Sequence, residues 1–243
     1  TPVMAEITRR YTEEAVRIIR ENKDRPFFLY LAHNMPHVPV AASEAFKGKS
    51  AGGAYGDAVE EVDWSTGEIL KAVKEAGIDE RTLVIYTSDN GPWHLRGEQG
   101  GSATPLRAGK GTTYDGGMRV PFIARWPGKV PAGTVNREMA SFIDLLPTLA
   151  KLAGATVPSD RVIDGKDISR LLTDPSARTP HEYLLFYGGN RLNAVRSGPW
   201  KLKLVTTLQE ETKYGKVENP DTPIEETLYN LALDPGEQKS VLK

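Results

Sequence analysis

The stretch Thr82-Leu83-Val84-Ile85-Tyr86-Thr87-Ser88-Asp89-Asn90-Gly91 decides how the rest of the chain is read. Its first six residues are apolar or β-branched, the pattern of a short strand covered on both faces. The run then turns abruptly to Ser, Asp, Asn and Gly. Phe27-Phe28-Leu29-Tyr30-Leu31 has the same form upstream and is followed by His33, Asn34, Pro36 and His37. Each apolar run follows a helical pattern. Residues 4–22 carry Ile7, Tyr11, Ala15, Ile18 and Ile19 as one stripe. Residues 57–76 carry Ala58, Val62, Ile69, Val73 and Ala76, with Asp57 placed to cap and Gly77 placed to end the helix. Helix and strand in alternation predict an α/β layer with a largely parallel sheet. Ligands in such sheets bind beyond the carboxyl ends of the strands. The two polar strand ends are therefore expected to share one crevice.

Downstream, residues 91–117 form a long glycine-rich segment without periodicity, a length that goes with function or disorder. A strand is predicted over 120–126, a helix over 145–152 capped by Asp144, and a short helix near 168–172. Beyond a linker at 174–180 the texture changes to short strands at 183–187, 192–196, 200–205 and 227–230. The expected division is an α/β part over 1–176 and a small antiparallel subdomain over 177–243.

Composition narrows the chemistry. Lysine and arginine total 31 against 32 acidic residues, so the formal charge is −1. That disfavours a nucleic-acid binder, which needs a basic excess. With 39% hydrophobic and 26% charged residues the chain reads as globular rather than disordered. There is no cysteine, which removes disulfides, thiolate metal sites and cysteine nucleophiles. No run approaches the roughly 20 apolar residues of a membrane helix. No signal-peptide pattern opens the sequence.

The individual motifs each admit a plain reading. Asp89-Asn90 offers hard oxygen ligands, or only a turn. His33 and His37 are four apart, but Pro36 and Pro39 argue for an extended loop rather than a helical zinc pair. A histidine there is a proton donor or anion contact, or merely a hydrogen-bonded loop residue. Gly109-Lys110-Gly111-Thr112-Thr113 fails the P-loop pattern because Gly111 stands where Ser or Thr is required. What remains is a lysine among exposed backbone amides, suited to a tetrahedral oxyanion or simply solvated. Asp115-Gly116-Gly117 reads as another turn. Trp93 and His94 line a pocket mouth or merely pack against the surface.

Taken in order, these motifs resemble the sulfatase family, within the alkaline phosphatase-like superfamily. The resemblance is carried by 26–31 with His37, by Thr87-Ser88-Asp89-Asn90-Gly91, and by the continuous block from Gly109 to Pro121. Arg125-Trp126-Pro127-Gly128, Arg196-Ser197-Gly198-Pro199-Trp200-Lys201 and Leu228-Tyr229-Asn230-Leu231 extend it, and Asp234-Pro235-Gly236-Glu237 follows. The resemblance implies that Asp89 and Asn90 ligate Ca²⁺, that Lys110 contacts a sulfate oxygen, and that His37 contacts the sulfate on its leaving-group side. It transfers no role to His33.

It also implies residues that are missing here. Family members carry paired aspartates on an early strand, and a C/S-x-P-x-R segment whose Cys or Ser becomes formylglycine. Ser197-Gly198-Pro199-Trp200-Lys201 ends in lysine, and Pro105 sits one residue too far from Ser102, so neither serine serves. The chain is thus expected to be the C-terminal portion of a sulfatase, inactive alone. Its expected partners are a sulfate ester, either small or on a glycan, and the missing N-terminal part. An exported or lysosomal setting follows from the family, and the rim at 93–102 is expected to select substrate. Two alternatives stand beside this: a non-catalytic fragment that self-associates through exposed sheet edges, and a phosphate or phosphonate ester hydrolase of the same superfamily.

Overall fold

A computed structural model describes residues 3–207 and 218–242. The chain forms two compact units. One holds the described residues up to Leu83 together with Arg96–Gly101; the other holds Val84–Leu95 and the described residues from Ser102 onward. Among the described residues no helix is long and apolar enough to cross a membrane.

The first unit is built on two helices, α1 (Ile7–Asn22) and α2 (Gly53–Glu75). The apolar stripe of α1 meets that of α2 in a core of Ile19, Ala72, Val73 and Ile78, with Val16, Ile69, Phe27 and Leu29 packed against it. Full burial of such side chains contributes roughly 1.5–3 kcal/mol each. Gly77 takes φ 69°, the left-handed conformation that ends a helix, as its sequence position predicts. Residues 27–31 depart from expectation. They form no strand, and Phe28 and Tyr30 are 75% and 70% exposed. Phe27 and Leu29 alone face the core. A continuous apolar run looks the same whether one face or both are covered, and here the described residues cover one.

A polar stripe on α2 organises the loop that follows. Asp57 does not cap α2, which starts at Gly53. Instead its buried carboxylate accepts the backbone N–H groups of Gly48, Lys49 and Ser50 at 2.7, 3.0 and 2.8 Å. These donors hold its pKa below the usual carboxylate range. One turn on, Glu61 accepts the Ser43 N–H at 2.8 Å. Another turn on, Ser65 accepts the Thr12 hydroxyl at 2.7 Å and lies 3.2 Å from Nε2 of His33. Met35 fills the apolar patch of Ala58 and Val62 between them.

The second unit contains β1 (Val84–Thr87), α3 (Asp115–Met118), β2 (Phe122–Arg125), α4 (Leu145–Leu152) and α5 (Ser169–Thr173). It continues with β3 (Leu184–Gly188), β4 (Arg191–Ser197), β5 (Trp200–Lys203), β6 (Thr206–Thr207), β7 (Pro223–Ile224) and β8 (Thr227–Asn230). Strand β1 pairs with β2, and every strand pair among the described residues is antiparallel. The parallel ladder expected between the two early apolar runs is therefore not formed by them. The downstream texture change is a four-stranded sheet in the order β3-β4-β5-β8. Asp144 acts differently from a simple cap. A capping box joins it to Ser141 in a 3-10 turn ahead of α4. Its fully buried carboxylate also takes the Lys166 N–H and the His181 ring nitrogen, both at 2.8 Å.

Burial pushes the His33 pKa below its ordinary value of 6.5. The neutral ring is thus preferred in the folded state, and the unfolded chain binds the proton more readily. The His33 contribution is complete above that ordinary value and declines as pH falls below it. Urea midpoints measured between pH 7 and 5 are expected to fall less steeply in a His33→Gln variant than in the wild type.

Candidate functional site

At the end of β1 the chain turns under its own side chains. The Thr87 hydroxyl donates to Pro121 O at 3.0 Å, the Ser88 hydroxyl to Asn90 O at 3.1 Å, and Asn90 Nδ2 to Gly91 O at 3.0 Å. The Asn90 amide oxygen is left unengaged among the described residues. The Asp89 carboxylate is exposed and has no hydrogen-bond or ion-pair partner among them. Two hard oxygen donors thus stand on consecutive residues with nothing among the described residues using them.

The lysine loop is stitched to this turn. Gly91 N–H donates to Gly117 O at 2.9 Å, and Lys110 N–H donates to Pro92 O at 2.8 Å. The glycines allow the approach: a Cβ on Gly91 would overlap Gly116 O, and one on Gly109 would overlap Pro92 O and the His94 ring. His94 Nε2 lies 2.6 Å from Ala108 O, which assigns its proton to that nitrogen, since a carbonyl only accepts. The Lys110 ammonium sits 5.5 Å from the Trp93 ring centroid, a cation–π contact worth about 0.5–1 kcal/mol at an exposed site. The structure therefore brings Asp89, Asn90 and Lys110 to one corner of the second unit, with Trp93 beside the lysine.

His37 belongs to the first unit. It is exposed, and its Nδ1 lies 2.8 Å from Val38 O, so Nδ1 carries a proton. Met35, buried two residues earlier, anchors its loop on α2. His33, by contrast, is tied to Ser65 and serves the helix pair.

For a hard cation the donor chemistry of Asp89 and Asn90 fits, but two residues fill only part of the roughly 6–8 oxygens that Ca²⁺ takes. No group of three or more His, Asp or Glu side chains suited to a metal occurs among the described residues.

Sequence reasoning missed the residues that hold this corner up. Asp115, read as part of a turn, opens α3 and is buried. Lys201 Nζ lies 2.8 Å from its Oδ1 and 2.9 Å from Oε1 of Glu237. Asp115 N–H donates to Glu237 Oε2 at 2.6 Å. Burial raises the Glu237 pKa, with Lys201 opposing that rise. Lys203 donates to the Thr113 hydroxyl at 2.7 Å and sits 3.9 Å from the Tyr114 ring centroid. The available signal was the alternation Lys201-Leu202-Lys203, which puts both lysines on one face of a strand.

Comparison with known proteins gives the family. The family description "Sulfatase" matches residues 4–155, and "N-sulphoglucosamine sulphohydrolase, C-terminal" matches residues 109–243. The chain belongs to the sulfatase family, whose members hydrolyse sulfate esters. It is 45% identical to the steryl-sulfatase of Mus musculus over 80% of its own length and 33% of that protein. It is 39% identical to the N-acetylgalactosamine-6-sulfatase of Mus musculus over 96% of its length and 48% of that protein. The solved PsFucS1 sulfatase from Pseudoalteromonas sp. superposes with a TM-score of 0.87 at 30% identity, covering 98% of this chain and 48% of that one. The α/β, alkaline phosphatase-like fold class expected from sequence thus holds. The chain spans about a third to a half of the relatives it matches.

The glycine packing is testable with a matched pair. Gly91→Ala is expected to destabilise by about 1–3 kcal/mol through overpacking. Gly67→Ala, in open space within α2, is expected to stabilise by roughly 0.5–1 kcal/mol. Urea denaturation of both variants checks the difference in sign.

Proposed function

We propose that this chain supplies the metal-contacting and sulfate-contacting corner of a sulfate ester hydrolase. One observation carries the reading: Asp89, Asn90 and Lys110 are held together by the Gly91–Gly117 and Lys110–Pro92 backbone bonds. In this reading Asp89 and Asn90 are two oxygen ligands of Ca²⁺. When bound, that ion would supply fixed positive charge toward a sulfate oxygen. Lys110 places its ammonium on a second sulfate oxygen. The family resemblance, rather than any distance, assigns His37 the role of contact on the leaving-group side.

The chemistry asks for those groups. As the S–O bond to the ester oxygen breaks, negative charge grows on the leaving oxygen and persists on the sulfate. A cation fixed at the site stabilises that charge without reorganising at the moment of reaction. Protonation of the departing alkoxide by an imidazolium form of His37, which leaves the ring neutral, completes the cleavage. The attacking group, read from the family as formylglycine, has to come from outside these 243 residues, because no cysteine and no S-x-P-x-R segment is present.

The substrate class is a sulfate monoester. The relatives' names span a sterol and an amino sugar, so the shared chemistry is the sulfate, and a small ester or a sulfated glycan both fit it. Residues 1–176 are proposed as the catalytic α/β part and residues 177–243 as an antiparallel subdomain. The contiguous sheet formed by β3, β4, β5 and β8 supports that division.

Co-expression of this chain with an N-terminal sulfatase portion carrying formylglycine, followed by assay on an aryl sulfate, tests the proposal. Calcium-dependent turnover is expected, and Lys110→Ala should lower kcat/KM by about 10²–10³. A folded, modified pair without turnover would contradict it.

A further inference from the structure

We infer that Lys201 is a positioning residue for Lys110: its buried ion cluster sets the loop that aims the Lys110 ammonium. The inference rests on the reading of Lys110 as the sulfate contact.

The path through the fold is continuous. Lys201 and Lys203 project from the same face of β5, two residues apart. Asp115 and Thr113 sit two residues apart in the loop and receive them at 2.8 and 2.7 Å. The repeat of the strand is thus matched by the repeat of the loop, and a slip of one residue would break both contacts. From Asp115 the α3 turn runs to Gly117, whose carbonyl takes the Gly91 N–H. Pro92, next in sequence, takes the Lys110 N–H. The cluster is closed from behind by Arg107, which donates to Glu237 O at 2.8 Å and to the Tyr229 hydroxyl at 3.2 Å.

Energy alone does not account for this arrangement. Lys201 and Glu237 are fully buried and Asp115 nearly so. Desolvating each ion costs several kcal/mol, and apolar side chains of similar volume commonly stabilise a site as well or better. What ions add is directional and registral: a carboxylate and an ammonium meet in few geometries, whereas methylenes slide. A role in fixing one loop position explains the choice of residues.

Lys201→Met and Lys201→Arg, made in this chain, test the inference by NMR. One readout is amide hydrogen exchange at Gly91 and Lys110. The other is the ring-current displacement of the Lys110 ε-methylene signals by Trp93. In Lys201→Met, exchange at those two amides is expected to speed at least tenfold and the ring-current displacement to collapse. The β3, β4 and β8 amides and those of α1 and α2 should keep their protection. Lys201→Arg is expected to restore most of both signals. A triple variant, Lys201→Met with Asp115→Asn and Glu237→Gln, leaves no unpaired buried charge; it should regain stability while the Lys110 signature stays lost. Unchanged Gly91 and Lys110 signals would overturn the inference. So would loss of protection spread across the whole β3–β8 sheet, or failure of both the single and triple Met variants to fold, since each marks a purely structural role. Neither readout uses sulfate, so a Lys110 that proves indifferent to sulfate would sink the functional reading while leaving this coupling tested on its own.

Discussion

Lys201 carries its charge into the interior of the second unit and meets two carboxylates there, Asp115 and Glu237, at 2.8 and 2.9 Å. Removing one partner from such a buried set costs about 3–5 kcal/mol, because the others are left uncompensated. The constraint is positional as much as energetic. Asp115 begins the single turn of α3, Glu237 lies near the described end of the chain, and β5 runs through the middle of the sheet. One ammonium therefore ties the sheet, the tail and the glycine-rich loop to a common point.

From that point the glycines carry the geometry to the site. Where Gly91, Gly116 and Gly117 meet, the backbones approach more closely than any side chain permits. Two segments far apart in composition, the polar end of β1 and the lysine loop, then share hydrogen bonds directly. Among the described residues the Asp89 carboxylate and the Asn90 amide oxygen have no hydrogen-bond partner, because the turn is satisfied through the Ser88 hydroxyl and through Asn90 Nδ2. The Asp89-Asn90 turn and the Lys110 loop are thereby joined through main-chain hydrogen bonds, which leave the Asp89 carboxylate and the Asn90 amide oxygen unengaged among the described residues.

Much of this was legible in the sequence, for definite reasons. The helices were readable because Ala15 and Ile19 on α1, and Ala58, Val62, Ile69 and Val73 on α2, repeat at helical spacing and Gly77 follows the end of α2. The strands after residue 180 were readable because short apolar runs alternate with turns, and their limits agree to within one or two residues. The buried carboxylates were misread. Asp57 and Asp144 look like caps from spacing, yet one collects loop amides and the other joins Ser141, Lys166 and His181. Apart from Ser141, their partners lie outside the local window. Lys201 was illegible for the same reason: a lysine on a short strand reads as solvated, and the carboxylate that keeps it buried is 86 residues away. Residues 27–31 were misread because hydrophobicity reports only that a face prefers cover.

The central claim is that Asp89, Asn90 and Lys110 form one anion-reading corner beside Trp93. Titration of the isotope-labelled chain with sodium sulfate, followed by NMR, tests it most directly. The account predicts that sulfate shifts concentrate on the amides of Asn90 and Lys110 and on the Trp93 indole, and that they vanish in Lys110→Gln. Shifts centred elsewhere, or unaltered by Lys110→Gln, would contradict it.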